Sequence, residues 1–215
     1  MSAAADASFA EIMGIWVVIL AVWLAAGAAL TSTAVGRQAL VDERVRVIEA
    51  LGGTVDDAAY HELEAHPPLA AYFTSGGRTL LLPVVTAVVA AALLVWLRQR
   101  GVGQATYRSC LAVAVHASVV LALQQVVATP MHLVRESLTS PFNLAALLPF
   151  FDEGSIPALV LGTIEVFGLW WVALLAVGCA AVSGRRARSF IGPFLGAYVI
   201  VAAAVAAVVA LAGGA

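Results

Sequence analysis

The sequence contains no lysine: all eleven of its basic residues are arginine. Schiff-base catalysis, Ser–Lys dyads and P-loop phosphate binding are therefore excluded. Cysteine is nearly as scarce. Cys110 and Cys179 lie inside apolar runs, with no CxxC or Cys/His ligand spacing, so neither a zinc site nor a disulfide framework is indicated. Both read as small packing residues. Charge of either sign is thin, 11% of the chain against about 25% in soluble domains. A net charge of −2 gives no basis for nucleic-acid binding. HExxH, GxSxG and Gly-rich phosphate motifs are missing too, so no catalytic, cofactor or metal site is expected. What the chain has in excess is apolar residues. They make up 62% of 215, and the mean hydropathy is +0.99. A soluble domain of this size cannot bury that much apolar surface. The composition indicates a membrane protein.

A membrane helix needs about 20 mostly apolar residues to cross about 30 Å of hydrocarbon. Charge-free runs supply five spans, at about 12–36, 79–97, 109–134, 156–182 and 190–213, the fourth interrupted only by Glu165. Two-residue alternation is absent, which excludes barrel strands. The expected fold is all-α: a polytopic membrane protein, with residues 1–215 forming one five-helix transmembrane bundle. Ala26-Gly27-Ala28 imitates a leader cleavage site. Asp6, Glu11 and the lack of arginine ahead of it fit an uncleaved first span instead.

Arginine placement sets the expected orientation. Arg98, Arg100 and Arg108 fall in one short loop and Arg185, Arg186 and Arg188 in another, neither containing an acid. The opposite side carries Arg37, Arg44, Arg46, Arg78 and Arg135, but also seven acids between the first two spans and Glu136, Asp152 and Glu153 beyond. The expected location is the plasma membrane, with the N-terminus cytoplasmic, the C-terminus extracytoplasmic and residues 37–78 outside. In that segment Val41, Val45, Ile48 and Leu51 recur at helical spacing, and Gly52-Gly53 supplies a stop. Thr54-x-x-Asp57 resembles a capping box opening a second helix, which His66-Pro67-Pro68 ends. A short helical hairpin is expected there; the plainer reading is that it caps the bundle on the outer face, the sharper that its acidic face docks another protein. The five-residue spacing of His61 and His66 does not suit one metal on one helical face.

Glu165 is the residue that most needs explaining. A mid-helix acid costs about 2.5–3.5 kcal/mol on insertion scales and must face protein or water. Gly162 and Gly168 lie three residues to either side, giving a small-residue stripe on its face. Counting along the helices puts it about 13 Å below the outer end of the fourth span, level with Gln124 and Gln125 of the third. His116 falls near the inner end of the third. The expected polar cluster is therefore Glu165 with Gln124 and Gln125, and His116 more remote. A buried hydrogen bond locking two helices is the plainer reading, a proton or substrate relay the sharper one. Trp170 and Trp171 are expected to pack helix against helix. Gly178 and the Gly192-x-x-x-Gly196 spacing offer further close approaches.

The stretch Leu161-Gly162-Thr163-Ile164-Glu165-Val166-Phe167-Gly168-Leu169-Trp170-Trp171, followed by Leu174-Leu175-Ala176-Val177-Gly178, resembles the fourth-span signature of the Yip-domain family. These are Ypt/Rab-interacting integral membrane proteins, and the likeness is to their bacterial branch. An acid, an aromatic, a tryptophan pair and a glycine occur there in this order. The Arg185-Arg186-Arg188 turn and a small-residue fifth span follow. The family's acid is usually aspartate, and the aspartate-leucine-tyrosine-glycine-proline pattern of its eukaryotic members is missing, which speaks against binding a Rab-type GTPase.

The resemblance implies a non-enzymatic adaptor or scaffold, an accessory of an ABC-type exporter or a component of membrane organisation or trafficking. Its expected partners are membrane lipid and either another membrane protein or a second copy of itself. The alternative is a small-solute or proton-linked transporter that uses Glu165. Five spans cannot divide into equal inverted halves, which weighs against transport.

Overall fold

In the computed structural model, which describes residues 8–50, 52–65, 69–148, 150 and 155–212, the chain is all-helical. The helices are α1 (Phe9–Ser32), α2 (Ala34–Ala50), α3 (Asp57–Ala65), α4 (Leu69–Gln99), α5 (Tyr107–Arg135), α6 (Leu144–Leu147), α7 (Ile156–Thr163), α8 (Val166–Ser183) and α9 (Arg188–Ala212). Five segments are long and apolar enough to cross a membrane: Phe9–Ser32, Leu81–Gln99, Tyr107–Arg135, Val166–Ser183 and Arg188–Val208. The protein is a multi-pass membrane protein, with the short helices α2 and α3 between the first two spans.

Two spans end where hydropathy alone does not place them. The first stops at Ser32, before its charge-free run is exhausted. The Thr33 hydroxyl accepts from the Gly36 amide at 3.0 Å, capping α2, and Arg37 reaches back to the carbonyls of Thr31 and Ser32, each at 3.2 Å. A side-chain cap on one helix and a cation on the end of the other favour a break at that residue.

The fourth span departs further. The run from Ile156 to Val182 is not one helix: Ile164 is extended (φ −94, ψ 113) and separates α7 from α8. Here the Leu144 amide donates to the Ile164 carbonyl at 2.8 Å, and the Val166 amide to the Phe142 carbonyl at 3.0 Å. Asn143 and Glu165 are thereby paired in an isolated antiparallel bridge. An unpaired backbone group in apolar surroundings costs several kcal/mol, so a break in this apolar run persists where another segment supplies partners. The membrane-crossing helix is Val166–Ser183, about 27 Å long. Glu165 consequently stands at its start, and the mid-helix position expected from the charge-free run is corrected.

The chain divides into two compact units. The first comprises the described residues of Met1–Trp23, Thr79–Gln124 and Phe167–Tyr198. Its larger core joins Ala90, Leu93 and Leu97 of α4, Cys110, Val113, Ala114 and Ala117 of α5, Leu175, Ala176, Cys179 and Ala180 of α8, and Phe190 of α9. Each set repeats at three- and four-residue intervals, so one stripe of each helix faces inward. A second cluster sets Ile12, Trp16 and Ile19 of α1 against Leu82, Ala112, Val115 and Ala122. Val17, Val84, Val88 and Val177 point outward and are exposed. Apolar on the outside and alanine-rich within is the pattern of helices solvated by lipid, where close backbone approach takes over from hydrophobic exclusion.

The second unit comprises the described residues of Leu24–Arg78, Gln125–Val166 and Val199–Ala215. In it α2 ends in a turn at Gly52, whose positive φ of 80 favours glycine, with the Gly53 amide on the Ile48 carbonyl at 2.9 Å. The capping residue of α3 is Asp56, whose carboxylate accepts from the Ala59 amide at 2.8 Å. It occupies the role expected for Thr54, because it directly precedes Asp57, the first helical residue. Val41 is buried, Val45 and Ile48 are half-buried, and Leu51 and the His66-Pro67-Pro68 stop lie outside the described residues. The Thr163 hydroxyl donates to Val160 O at 2.7 Å and to Ala202 O at 3.3 Å, tying α7 to α9.

Candidate functional site

The junction at Glu165 is the most distinctive local construction. Leucine, valine and isoleucine carry α7 from its Ser155 cap to Thr163, with the Ser155 hydroxyl accepting from the Ala158 amide at 3.4 Å. The chain then runs extended through Ile164 and re-enters a helix at Val166. On the facing segment Asn143 is buried and fully engaged: its Oδ1 accepts from the Ala146 amide at 2.7 Å, and its Nδ2 donates to Ser140 O at 2.8 Å. Its side chain thus starts α6 and closes the turn before it, while its neighbours hold the break. Glu165 is half-buried and directly precedes the first residue of α8.

Of the residues expected to share that neighbourhood, Gln124 and Gln125 are half-buried on α5. Neither Gln124 nor Glu165 lacks a partner. His116 is exposed, with Nδ1 2.7 Å from Ala112 O of its own helix. A ring committed to the preceding turn and facing outward is not placed as a relay group.

The residues expected at helix contacts divide cleanly. A Cβ at Gly178 would meet Val113, Cγ1 first and then Cγ2 at 2.9 Å. One at Gly168 would meet the Tyr198 side chain, its hydroxyl first and then Cζ at 2.9 Å. These two glycines are sites of close approach. Gly162, Gly192 and Gly196 have nothing within 4 Å of the corresponding position, so the approach read from GxxxG spacing does not occur there among the described residues. Trp171 is half-buried and its indole Nε1 is buried without a hydrogen-bond partner. Trp170 is 47% exposed and stacks on Phe167, with centroids 6.4 Å apart. Successive residues on a helix point about 100° apart, so both cannot enter the same interface.

Sequence reasoning did not foresee the polar ties of the α2–α3 pair. Tyr60 donates to Asp42 Oδ1 at 2.6 Å and takes a hydrogen bond from Gln38, whose amide also reaches Asp42 at 3.4 Å. The Asp42 carboxylate, as acceptor of the phenolic hydrogen, holds the Tyr60 pKa above its ordinary value of 10. Arg46 pairs with Glu43 at 2.6 Å and donates to the Thr139 hydroxyl at 2.7 Å, fastening α2 to the segment after α5. Tyrosine 22 positions beyond a glutamine carries no local signal, so only the fold brings the three together. Glu49, Asp57, Glu62 and Glu64 remain exposed. His61 is exposed, its Nδ1 3.4 Å from Glu64, and His66 lies outside the described residues. Among the described residues no group of three or more His, Cys, Asp or Glu could hold a metal ion. No family model, curated protein or solved structure matches this chain.

Proposed function

We propose that this protein is a non-enzymatic adaptor of the plasma membrane, with its N-terminus in the cytoplasm, that presents the α2–α3 pair outside the cell to another membrane protein. The observation that carries the reading is the fastening of that pair. Gln38, Asp42 and Tyr60 lock the two helices together, and Arg46 anchors them through Thr139. A polar surface held this firmly spends little entropy on docking. Between residues 34 and 65 seven carboxylates stand against three arginines, so the complementary partner surface is basic. The resemblance of residues 161–178 to the Yip-domain signature supports the same role, an exporter accessory being its most specific form. Cross-linking in native membranes followed by co-purification in mild detergent is the test. Recovery of this chain without a partner or a second copy overturns the proposal.

A second reading, small-solute or proton-linked transport, draws on the broken fourth span, because interrupted helices flank ion and substrate sites in many carriers. Weighing against it, the Ile164 carbonyl and the Val166 amide are both committed to the 142–144 segment. Glu165→Gln in proteoliposomes separates the two: a proton carrier loses flux, whereas the adaptor moves no solute and keeps its partner.

A further inference from the structure

The first unit gathers positive charge at one end. Arg98 and Arg100 close α4, Arg185 and Arg186 fill the turn after α8, and Arg188 opens α9. All five are exposed, and among the described residues none has a carboxylate within ion-pair distance. Arg108 lies in the first turn of the next span. Glu11, at the start of α1, is the one acid of the unit's described residues.

The two loops are joined: Arg185 donates to the Arg100 carbonyl at 2.9 Å. Left-handed glycines make both turns possible, Gly101 at φ 79 and Gly184 at φ 67. Below them lies an aromatic floor. Trp96 meets Phe190 at 5.5 Å and Phe194 at 5.2 Å between centroids, and the Arg100 guanidinium sits 4.5 Å above the Trp96 ring. Arg100 is therefore held by its own ring stack and by the partner loop. Dipoles do not decide the sign of the field here, since the ends of α4 and α8 oppose the starts of α5 and α9. The arginines do.

Each arginine borders a membrane-crossing segment, at the level where tryptophan and lipid headgroups meet. We propose that the joined loops 98–108 and 184–188 form a binding site for the phosphate headgroup of an anionic phospholipid, whose acyl chains lie along the apolar helix faces beneath. Guanidinium groups suit phosphate oxygens by geometry as well as charge.

The full chain in mild detergent is titrated with phosphatidylglycerol, with phosphatidylcholine, and with inorganic phosphate as a competitor, and bound lipid is counted by native mass spectrometry. Phosphatidylglycerol is expected to bind in preference to phosphatidylcholine and to weaken with salt. Arg186→Gln/Arg188→Gln removes two charges without touching the Arg185–Arg100 tie and is expected to lower affinity about 25-fold, or about fivefold per arginine. Arg44→Gln, in the second unit, leaves binding unchanged. Equal binding of the two lipids, or wild-type affinity in the double variant, overturns the proposal. Full displacement by inorganic phosphate also does so, since the ligand is then a free anion. A circular dichroism spectrum identical to wild type confirms that the exposed substitutions leave the fold intact.

Discussion

Replacing Gly178 by alanine adds one methyl group where there is no room for it. Carbon pairs prefer about 3.5–4.0 Å, yet the new Cβ would stand 2.9 Å from Val113 Cγ2 and 3.1 Å from its Cβ, with Cγ1 nearer still. Val113 cannot turn aside. It is β-branched on a helix, which leaves it one favoured rotamer, and it is buried among Cys110, Ala114, Ala117 and Cys179. Relief therefore requires α5 and α8 to move apart, an overpacking cost of about 1–3 kcal/mol. Cys110 and Cys179, each 1% exposed, report on that seam directly. If their labelling proceeds through local opening, a loss of about 2 kcal/mol accelerates it about 30-fold. Thiol-labelling rates in detergent, with thermal midpoints alongside, measure the effect. Val113→Ala removes both obstructing carbons. Alone it is expected to destabilise by about 1–3 kcal/mol through lost packing. In combination it should recover about 1–2 kcal/mol of the Gly178→Ala loss. Wild-type labelling in Gly178→Ala, or strict additivity of the two changes, refutes the argument.

Gly168→Ala should cost less than Gly178→Ala, because its first obstruction is the far end of the Tyr198 ring, and Tyr198→Phe should reduce the cost further; thermal midpoints compare them. Tyr60→Phe removes the hydrogen bond to Asp42, with an expected loss of about 1 kcal/mol of α2–α3 stability. Since the phenol pKa is raised on folding, that contribution is present in full below pH 10 and declines as the pH climbs through the higher folded value; hydrogen exchange across Asp57–Ala65 should show the wild-type contact loosening in alkali while the variant changes less. Arg46→Ala should release the 137–140 segment, seen as faster amide exchange there, with less than about 1 kcal/mol of global effect.

Much of the fold follows from a length filter. Hydrocarbon thickness admits few solutions for a run such as Thr79–Leu97 between Arg78 and Arg98; the second and third spans begin and end near their arginines, and the fifth begins at Arg188. The fourth escaped because its break has no local cause. Thr163-Ile164 is a mild helix weakener, and the groups that make the extended geometry stable belong to Phe142 and Leu144. Hydropathy also cannot tell Gly178 from Gly192. Both are small residues in apolar helices, and only the opposing Val113 makes one of them indispensable. The polar cluster around Glu165 was argued from depth along uninterrupted helices, and the interruption at Ile164 moves its reference point. In the α2–α3 pair, amphipathic spacing indicated the helices but not the Tyr60–Asp42 contact that joins them.

The pairing of Asn143 with Glu165 closes the intervening chain at its base, as a drawstring closes a bag. The bridge fixes the two ends of that stretch, and Thr163 ties its last turn to α9. Lengthening the connection there asks only for extra loop entropy, about 0.6 kcal/mol for each doubling. An insertion between α6 and α7 is therefore expected to leave the crossing helix Val166–Ser183 in register.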